Sequence, residues 1–306
     1  MKKWTEYLEA VKAYSAEWAE PQWMTDLRVN ALNKIDELPL PVIEKVKFAR
    51  WNLYNVKPEH QEIGGTIPSF DEMKDNPIIV QAGETTIFEQ ISPKLVEQGV
   101  IFTDLVTALQ EYPELVQEYY MQKAVPVEEN TMTALHAAFM NNGVFLYVPK
   151  NVVIEEPIES LFLHNGNDDA HFFKHVLIVA EANSEFSYLE RFESQGAEAK
   201  KLSGNVVVEV IAKPGARVKF SAIDALGANV ATYMNRRGYL MRDSMIDWAI
   251  GIMNDGNVIA DFDSDLVGEG SHSEVKIVAI STGKQIQGID TRVTNKAPHT
   301  IGHILQ

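Results

Sequence analysis

Three aspartates alternate in the segment DFDSDL, at Asp261, Asp263 and Asp265. On a strand, alternate side chains point to one side, so all three carboxylates would share a face. Several oxygens on one face suit a hard cation such as calcium or magnesium. The twelve-residue calcium loop does not fit, because Leu266 and His272 occupy the positions that need Gly and Glu. A solvated strand face is the plainer expectation. Histidines recur in two places. His164, His171 and His175 crowd one stretch, and the last two could share a face of HFFKHVLIVA if it is a strand. Spacing puts no third ligand beside them, so surface or strand-end histidines are expected. His299 and His303 share a face of APHTIGHIL in the same way. Imidazole nitrogens there could take a transition metal, but a structural or interface role is expected. Arg236, Arg237 and Arg242 with Asp243 and Asp247 would suit a calcium-dependent polysaccharide lyase on a β-helix. The alternative, and the expectation, is a surface ladder of ion pairs.

What is missing narrows the chemistry further. The chain has no cysteine, hence no thiol nucleophile, no disulfide and no sulfur ligand for zinc or an iron–sulfur cluster. No phosphate loop of the GxxxxGK[ST] kind, no GxGxxG, no GxSxG and no HExxH occurs. We therefore assign no catalytic, cofactor-binding or metal-binding residue. The net charge of −16 argues against a nucleic-acid partner, which needs a basic stripe. No apolar run reaches the ~18–20 residues of a membrane span, and MKKWTEYLEAV lacks the apolar core of a signal peptide. A cytoplasmic location is the expectation.

The elements that must position these residues fall into two regions. Trp4, Leu8, Val11 and Trp18 recur at helical spacing. A second helix is predicted over 21–38, with Pro21 in its first turn and Pro39-Leu40-Pro41 as its stop. Residues 54–77, with Pro58, Gly64, Gly65, Pro68 and Pro77, read as a loop or linker. Strand-like pieces at 78–81 and 86–88 follow, then helices over 104–110, with Thr103 as its cap, over 113–122 and over 129–140. From Gly143 the pattern changes to short apolar runs, clearest at 143–149, 175–180, 206–212 and 274–280. Turns recur before strands, at Ala182-Asn183-Ser184, Lys213-Pro214-Gly215, Asn254-Asp255-Gly256 and Gly268-Glu269-Gly270. The spacing is too uneven for a strict repeat. It suits an irregular β-helix, and equally a sandwich or jelly roll. We divide the chain into a mostly helical region at 1–135 and a β block at 136–306.

The run GVFLYVPKNVVIEEPIESLF (143–162) resembles the SufB/SufD family, scaffold proteins of the SUF iron–sulfur cluster assembly system. EPQWMTDLRVNAL (20–32) with ELPLP (37–41), GVIFTDLVTAL (99–109), TALHAAFMNNGVF (133–145), the stretch 261–295 and APHTIGHILQ (297–306) resemble the same family in order. The N-terminal element and the missing cysteines resemble its SufD members rather than SufB. The resemblance implies an N-terminal helical region, a right-handed parallel β-helix core and a C-terminal helical domain. By that measure the chain would stop inside the core, its last coils and C-terminal domain absent. The resemblance implies a non-catalytic scaffold with SufB and SufC as partners. An iron–sulfur cluster would be held only in the complex with SufB, and a homodimer is the alternative assembly. The family's interface histidine has no match here, and neither His299 nor His303 takes its role.

Overall fold

The computed structural model describes residues 4–57, 76–166, 171–196 and 201–306. Most of the stretch read as a linker, residues 58–75, lies outside the described residues. A short 3-10 turn at Trp4–Tyr7 leads into α1 (Leu8–Glu17), and α2 (Gln22–Lys34) follows. Pro21 is the extended residue ahead of α2 and not part of its first turn. The chain then forms α3 (Pro93–Glu97), α4 (Leu105–Glu111), α5 (Pro113–Tyr119) and α6 (Thr131–Phe139). Asp104, not Thr103, caps α4, because its Oδ1 accepts from the Thr107 N–H at 3.1 Å. Asn130 caps α6 in a reciprocal box with Thr133.

Fifteen strands are described: β1 (Ile78–Ala82), β2 (Thr85–Gln90), β3 (Ile101–Asp104), β4 (Gly143–Val148), β5 (Ile158–Asn165), β6 (Phe172–Ala180), β7 (Glu185–Gln195), β8 (Leu202–Ala212), β9 (Arg217–Ala225), β10 (Val230–Leu240), β11 (Met245–Ile252), β12 (Val258–Leu266), β13 (His272–Ala279), β14 (Gln287–Asn295) and β15 (Ile301–Leu305). From β4 onward, strands alternate between two sheets. One runs β15-β13-β11-β9-β7-β5-β1-β2 and the other β14-β12-β10-β8-β6-β4-β3. Every pairing among β4 to β15 is parallel. That excludes the sandwich and the jelly roll, which need antiparallel neighbours, and leaves a parallel β-solenoid. The antiparallel pairs β1–β2 and β3–β4 close its N-terminal end.

The coils differ in length. His175, Val207, Asn235, Asp261 and Asp290 lie in one cross-strand row, at steps of 32, 28, 26 and 29 residues by subtraction of their numbers. Structural period without constant length is why the sequence shows no strict repeat.

Alternation sorts the strands of the β14–β3 sheet between two cores. The inward residues of both sheets fill the solenoid with Val144, Val176, Val208, Phe220, Trp248 and their neighbours. Tyr188, Phe220 and Trp248 stack on successive coils, with ring centroids 5.4 and 4.8 Å apart. The helices pack on the outer face of the β14–β3 sheet, where Phe145, Phe173, Val207 and Tyr233 meet Leu105, Leu135 and Phe139. We call this the helix-covered sheet. The outer faces of β9, β11, β13 and β15 carry exposed residues, and we call their sheet the open sheet.

One corner of each coil is built alike. Asn151, Asn183, Gly215, Asp243, Gly270 and His299 all have positive φ. Each of the first five donates its N–H to the carbonyl just before the next corner residue in the stack: Ala182, Pro214, Arg242, Glu269 and Pro298. Gly, Asn and Asp tolerate this left-handed geometry best. A Cβ on Gly215 would also meet Asn183 Oδ1 at 2.3 Å. That oxygen belongs to a side chain that can swing away, so the backbone conformation sets the cost. Gly215→Ala should lose about 1–2 kcal/mol in chemical denaturation. An unchanged denaturation midpoint would show that the corner does not constrain the stack.

Candidate functional site

The aspartate row lies on the outer face of β12, and its three carboxylates do share that face. They are not a solvated strand face. Asp261 is buried and Asp263 half-buried, and basic side chains flank both. Register places Glu209 (β8), Arg237 (β10), Asp263 (β12) and Arg292 (β14) side by side, an alternating row of charge across four strands. Arg237 Nη2 lies 3.4 Å from Asp261 and 3.3 Å from Asp263. Arg292 reaches the same two carboxylates at 3.3 and 3.2 Å, and Lys296 holds Asp265 at 2.8 Å. Burial pushes Asp263 up to about 6, with the neighbouring Asp261 charge adding to it and the two guanidinium groups opposing it. Oxygens engaged by guanidinium and ammonium groups are not free to ligate calcium.

The five residues read as one surface ladder separate. Arg242 and Asp243 form an exposed pair at 3.6 Å, and Asp247 binds Lys276 at 2.7 Å. Arg237 also binds Glu129 at the edge of the helical layer. Arg236 points the other way, into the solenoid. It is fully buried between Glu190 of β7 and Asp224 of β9, each 2.6 Å from Nη2, with its guanidinium 5.4 Å from the Phe262 ring centroid. This triad was legible but missed. Glu190 follows Phe186 and Tyr188, Asp224 follows Phe220 and Ala222, and Arg236 follows Met234, each at the alternate position of an apolar column. Two carboxylates share one guanidinium, so one negative charge is in excess. Burial, with the Asp224 charge adding to it and Arg236 opposing, raises Glu190 to about 7.

The histidines of the middle stretch are buried as well. His164 lies 3.0 Å from Ser194 Oγ, and His171 Nε2 lies 2.8 Å from the Phe139 carbonyl. Burial lowers both to about 4. His175 joins His136 of α6, a residue the sequence reading did not single out. Asn205 donates through Nδ2 to the Met132 carbonyl, so its Oδ1 accepts from His136 Nδ1 at 3.2 Å. His136 Nε2 then accepts from His175 Nδ1 at 3.1 Å. His175 Nε2 faces Glu209 at 3.2 Å, outside hydrogen-bond geometry. Glu209 in turn accepts the Met121 and Val125 N–H groups at 2.7 and 3.0 Å. Burial holds His175 at about 3, so it stays neutral. The network fastens the helical layer to the sheet.

The terminal histidines also part. His299 is a left-handed corner residue and does not lie on β15, which begins at Ile301. His303 is on β15, and its Nδ1 lies 2.8 Å from Glu274 Oε1 on β13. His272 Nε2 reaches the same oxygen at 2.7 Å. This face also carries exposed Ile223, Met253, Val278, Ile280 and Leu305.

The buried triad yields two expectations. Arg236→Met leaves two buried carboxylates without their cation and should cost about 3–5 kcal/mol. Replacing all three members by apolar residues of similar volume should recover most of it, and equal losses in the single and triple variants would refute that account. Glu190 has a folded pKa of about 7 against an ordinary 4.5, so between these values the folded chain binds the extra proton. Stability from this group is present below about pH 4.5 and is lost as pH rises through 7, on the order of 3 kcal/mol in all. The buried histidines act oppositely below pH 6.5, so Glu190→Gln isolates the effect. Its stability relative to the parent should rise between pH 5 and 7.5, and a flat difference would contradict the assignment.

A family model for the SUF system FeS cluster assembly SufBD core domain matches residues 162–306, and one for the SufBD protein N-terminal region matches residues 71–159. The chain is 38% identical over 310 aligned residues to the iron-sulfur cluster assembly protein SufD of Bacillus subtilis, covering 97% of this chain and 70% of that protein. It is 27% identical to SufBD family proteins of Staphylococcus epidermidis and Staphylococcus aureus, covering 94% of this chain and 65% of theirs. The chain thus spans about two thirds of the length of the staphylococcal relatives. On the parallel solenoid, the two family matches and the similarity to SufD, the chain belongs to the SufB/SufD family.

Proposed function

We propose that this chain is a non-catalytic scaffold subunit in SUF iron–sulfur cluster assembly, acting with SufB and SufC in the cytoplasm. One observation carries the reading beyond family membership. A chain of this family with no cysteine offers no thiolate, so a partner must supply the sulfur ligands of any cluster built on the complex. The cluster is then cargo of the assembly. ATP hydrolysis falls to another subunit as well, since no phosphate loop occurs.

The surface supports this division of labour. The outer face of the open sheet mixes apolar and charged side chains along β9, β11 and β13. A flat face of this kind suits pairing with a homologous solenoid. The same exposure favours a second reading, a module that pairs with its own copy. The lyase reading loses its support, because Arg236 and Arg237 are held by Glu190, Asp224 and Glu129, Arg242 pairs with Asp243, and Asp247 pairs with Lys276. No helix among the described residues is long and apolar enough to cross a membrane.

Co-expression of this chain with SufB and SufC, then affinity purification and light scattering, tests the proposal. Recovery of a complex containing SufB, with its mass, is the expected result. Recovery of a homodimer alone, with neither partner, would leave the self-pairing module as the function.

A further inference from the structure

On the open sheet, β13 and β15 bring three metal-ligating side chains to one spot. His272 and Glu274 occupy alternate positions of β13 and share its outward face, and Glu274 is registered opposite His303. The two imidazoles converge on a single oxygen, Glu274 Oε1, from His272 Nε2 and His303 Nδ1 at 2.7 and 2.8 Å. The three ligating atoms all lie within 4.8 Å of one another. The rings stand edge to face with centroids 5.7 Å apart, which keeps both nitrogens directed at the carboxylate without stacking. Glu274 is held below the usual carboxylate range, first by the hydrogen bond from His303, and His272 adds to it.

The set contrasts with the other paired histidines. His136 and His175 are fully buried and bond to each other, to Asn205 and toward Glu209. His303 is exposed, while His272 and Glu274 are half-buried, so an ion could arrive from solvent. The Lys276 ammonium, on the same face, is drawn mainly to Asp247 and also to Glu274. Asp247, beside Glu274 on β11, is taken by Lys276 at 2.7 Å, and the residue beside His272 is Met245. First-row ions bind imidazole nitrogen and carboxylate oxygen at about 2.0–2.2 Å, which needs ligand atoms about 3.0–3.5 Å apart. Moving the bridging protons from the ligating nitrogens to the other ring nitrogen or to solvent, with small side-chain rotations, would convert the hydrogen-bonded set into a coordination set.

We propose that His272, Glu274 and His303 form a surface site for a divalent first-row transition ion. The ion would be held by two imidazole nitrogens and one carboxylate, with its remaining positions open to water or to a ligand from another molecule. Two nitrogen donors select against calcium and magnesium, which take oxygen. Binding requires neutral imidazoles and therefore weakens on acidification. The site does not depend on the assembly reading and stands if no SUF partner binds.

Titration of the 306-residue chain with Co2+, followed by visible absorption, tests this, with Zn2+ calorimetry as a second probe. The parent chain should bind Co2+ saturably, with ligand-field bands of an imidazole-bound ion, and Mg2+ should not compete. His303→Gln and Glu274→Gln should each weaken binding about tenfold or more, and the double variant His272→Gln/His303→Gln should abolish it. His299→Gln serves as the control and should bind as the parent does. His303 is exposed, so its substitution leaves the fold intact, which thermal unfolding verifies. No saturable binding by the parent at millimolar Co2+, or a double variant that binds as tightly as the parent, overturns the proposal.

Discussion

Parallel register between coils is the constraint on which everything else in this molecule rests. Once β6, β8, β10, β12 and β14 stack in parallel, each side chain has a fixed neighbour above and below. Rows of like function follow. Inward rows become the aromatic stack of Tyr188, Phe220 and Trp248, and one outward row becomes the alternating charges of Glu209, Arg237, Asp263 and Arg292. The corner residues enforce the register, because five of the left-handed corners donate their N–H to the coil that follows. A slip of one residue would turn Arg292 and Asp263 inward and Val293 and Ser264 outward.

The two faces of the solenoid have separate duties. The helix-covered sheet is a closed structural interface, fastened by Glu209, the His136–His175 pair and Arg237 with Glu129. Its titratable groups are shifted chiefly because they are buried. The open sheet is different. Its exposed apolar side chains and histidine–glutamate cluster are reachable from solvent. The scaffold role proposed above would use such a face, with the sulfur ligands coming from a partner.

Much of this was legible in the sequence. The change at Gly143 from helical spacing to short apolar runs located the strand block, and the turns at Asn183, Gly215 and Gly270 fell at the corners. Two-fold alternation correctly placed Asp261, Asp263 and Asp265 on one face. Alternation could not say what stood beside that face, because Arg237 and Arg292 arrive from strands about one coil away in sequence. The histidines failed for the same reason. Four-residue spacing joined His299 to His303, while the true neighbours of His303 are Glu274 and His272 on the preceding coil. Arg236 was misread because charge normally signals surface. Its position in an apolar column was the better guide. The short α3 and β3 were too brief to show a period.

The central claim is that this chain contributes surface and no thiolate to cluster assembly. Anaerobic reconstitution with iron and sulfide, with and without SufB, followed by gel filtration and visible absorption, tests it most directly. The account predicts cluster absorbance that elutes with the SufB-containing complex and is missing from the chain alone. A stable iron–sulfur cluster retained by the chain alone would contradict it.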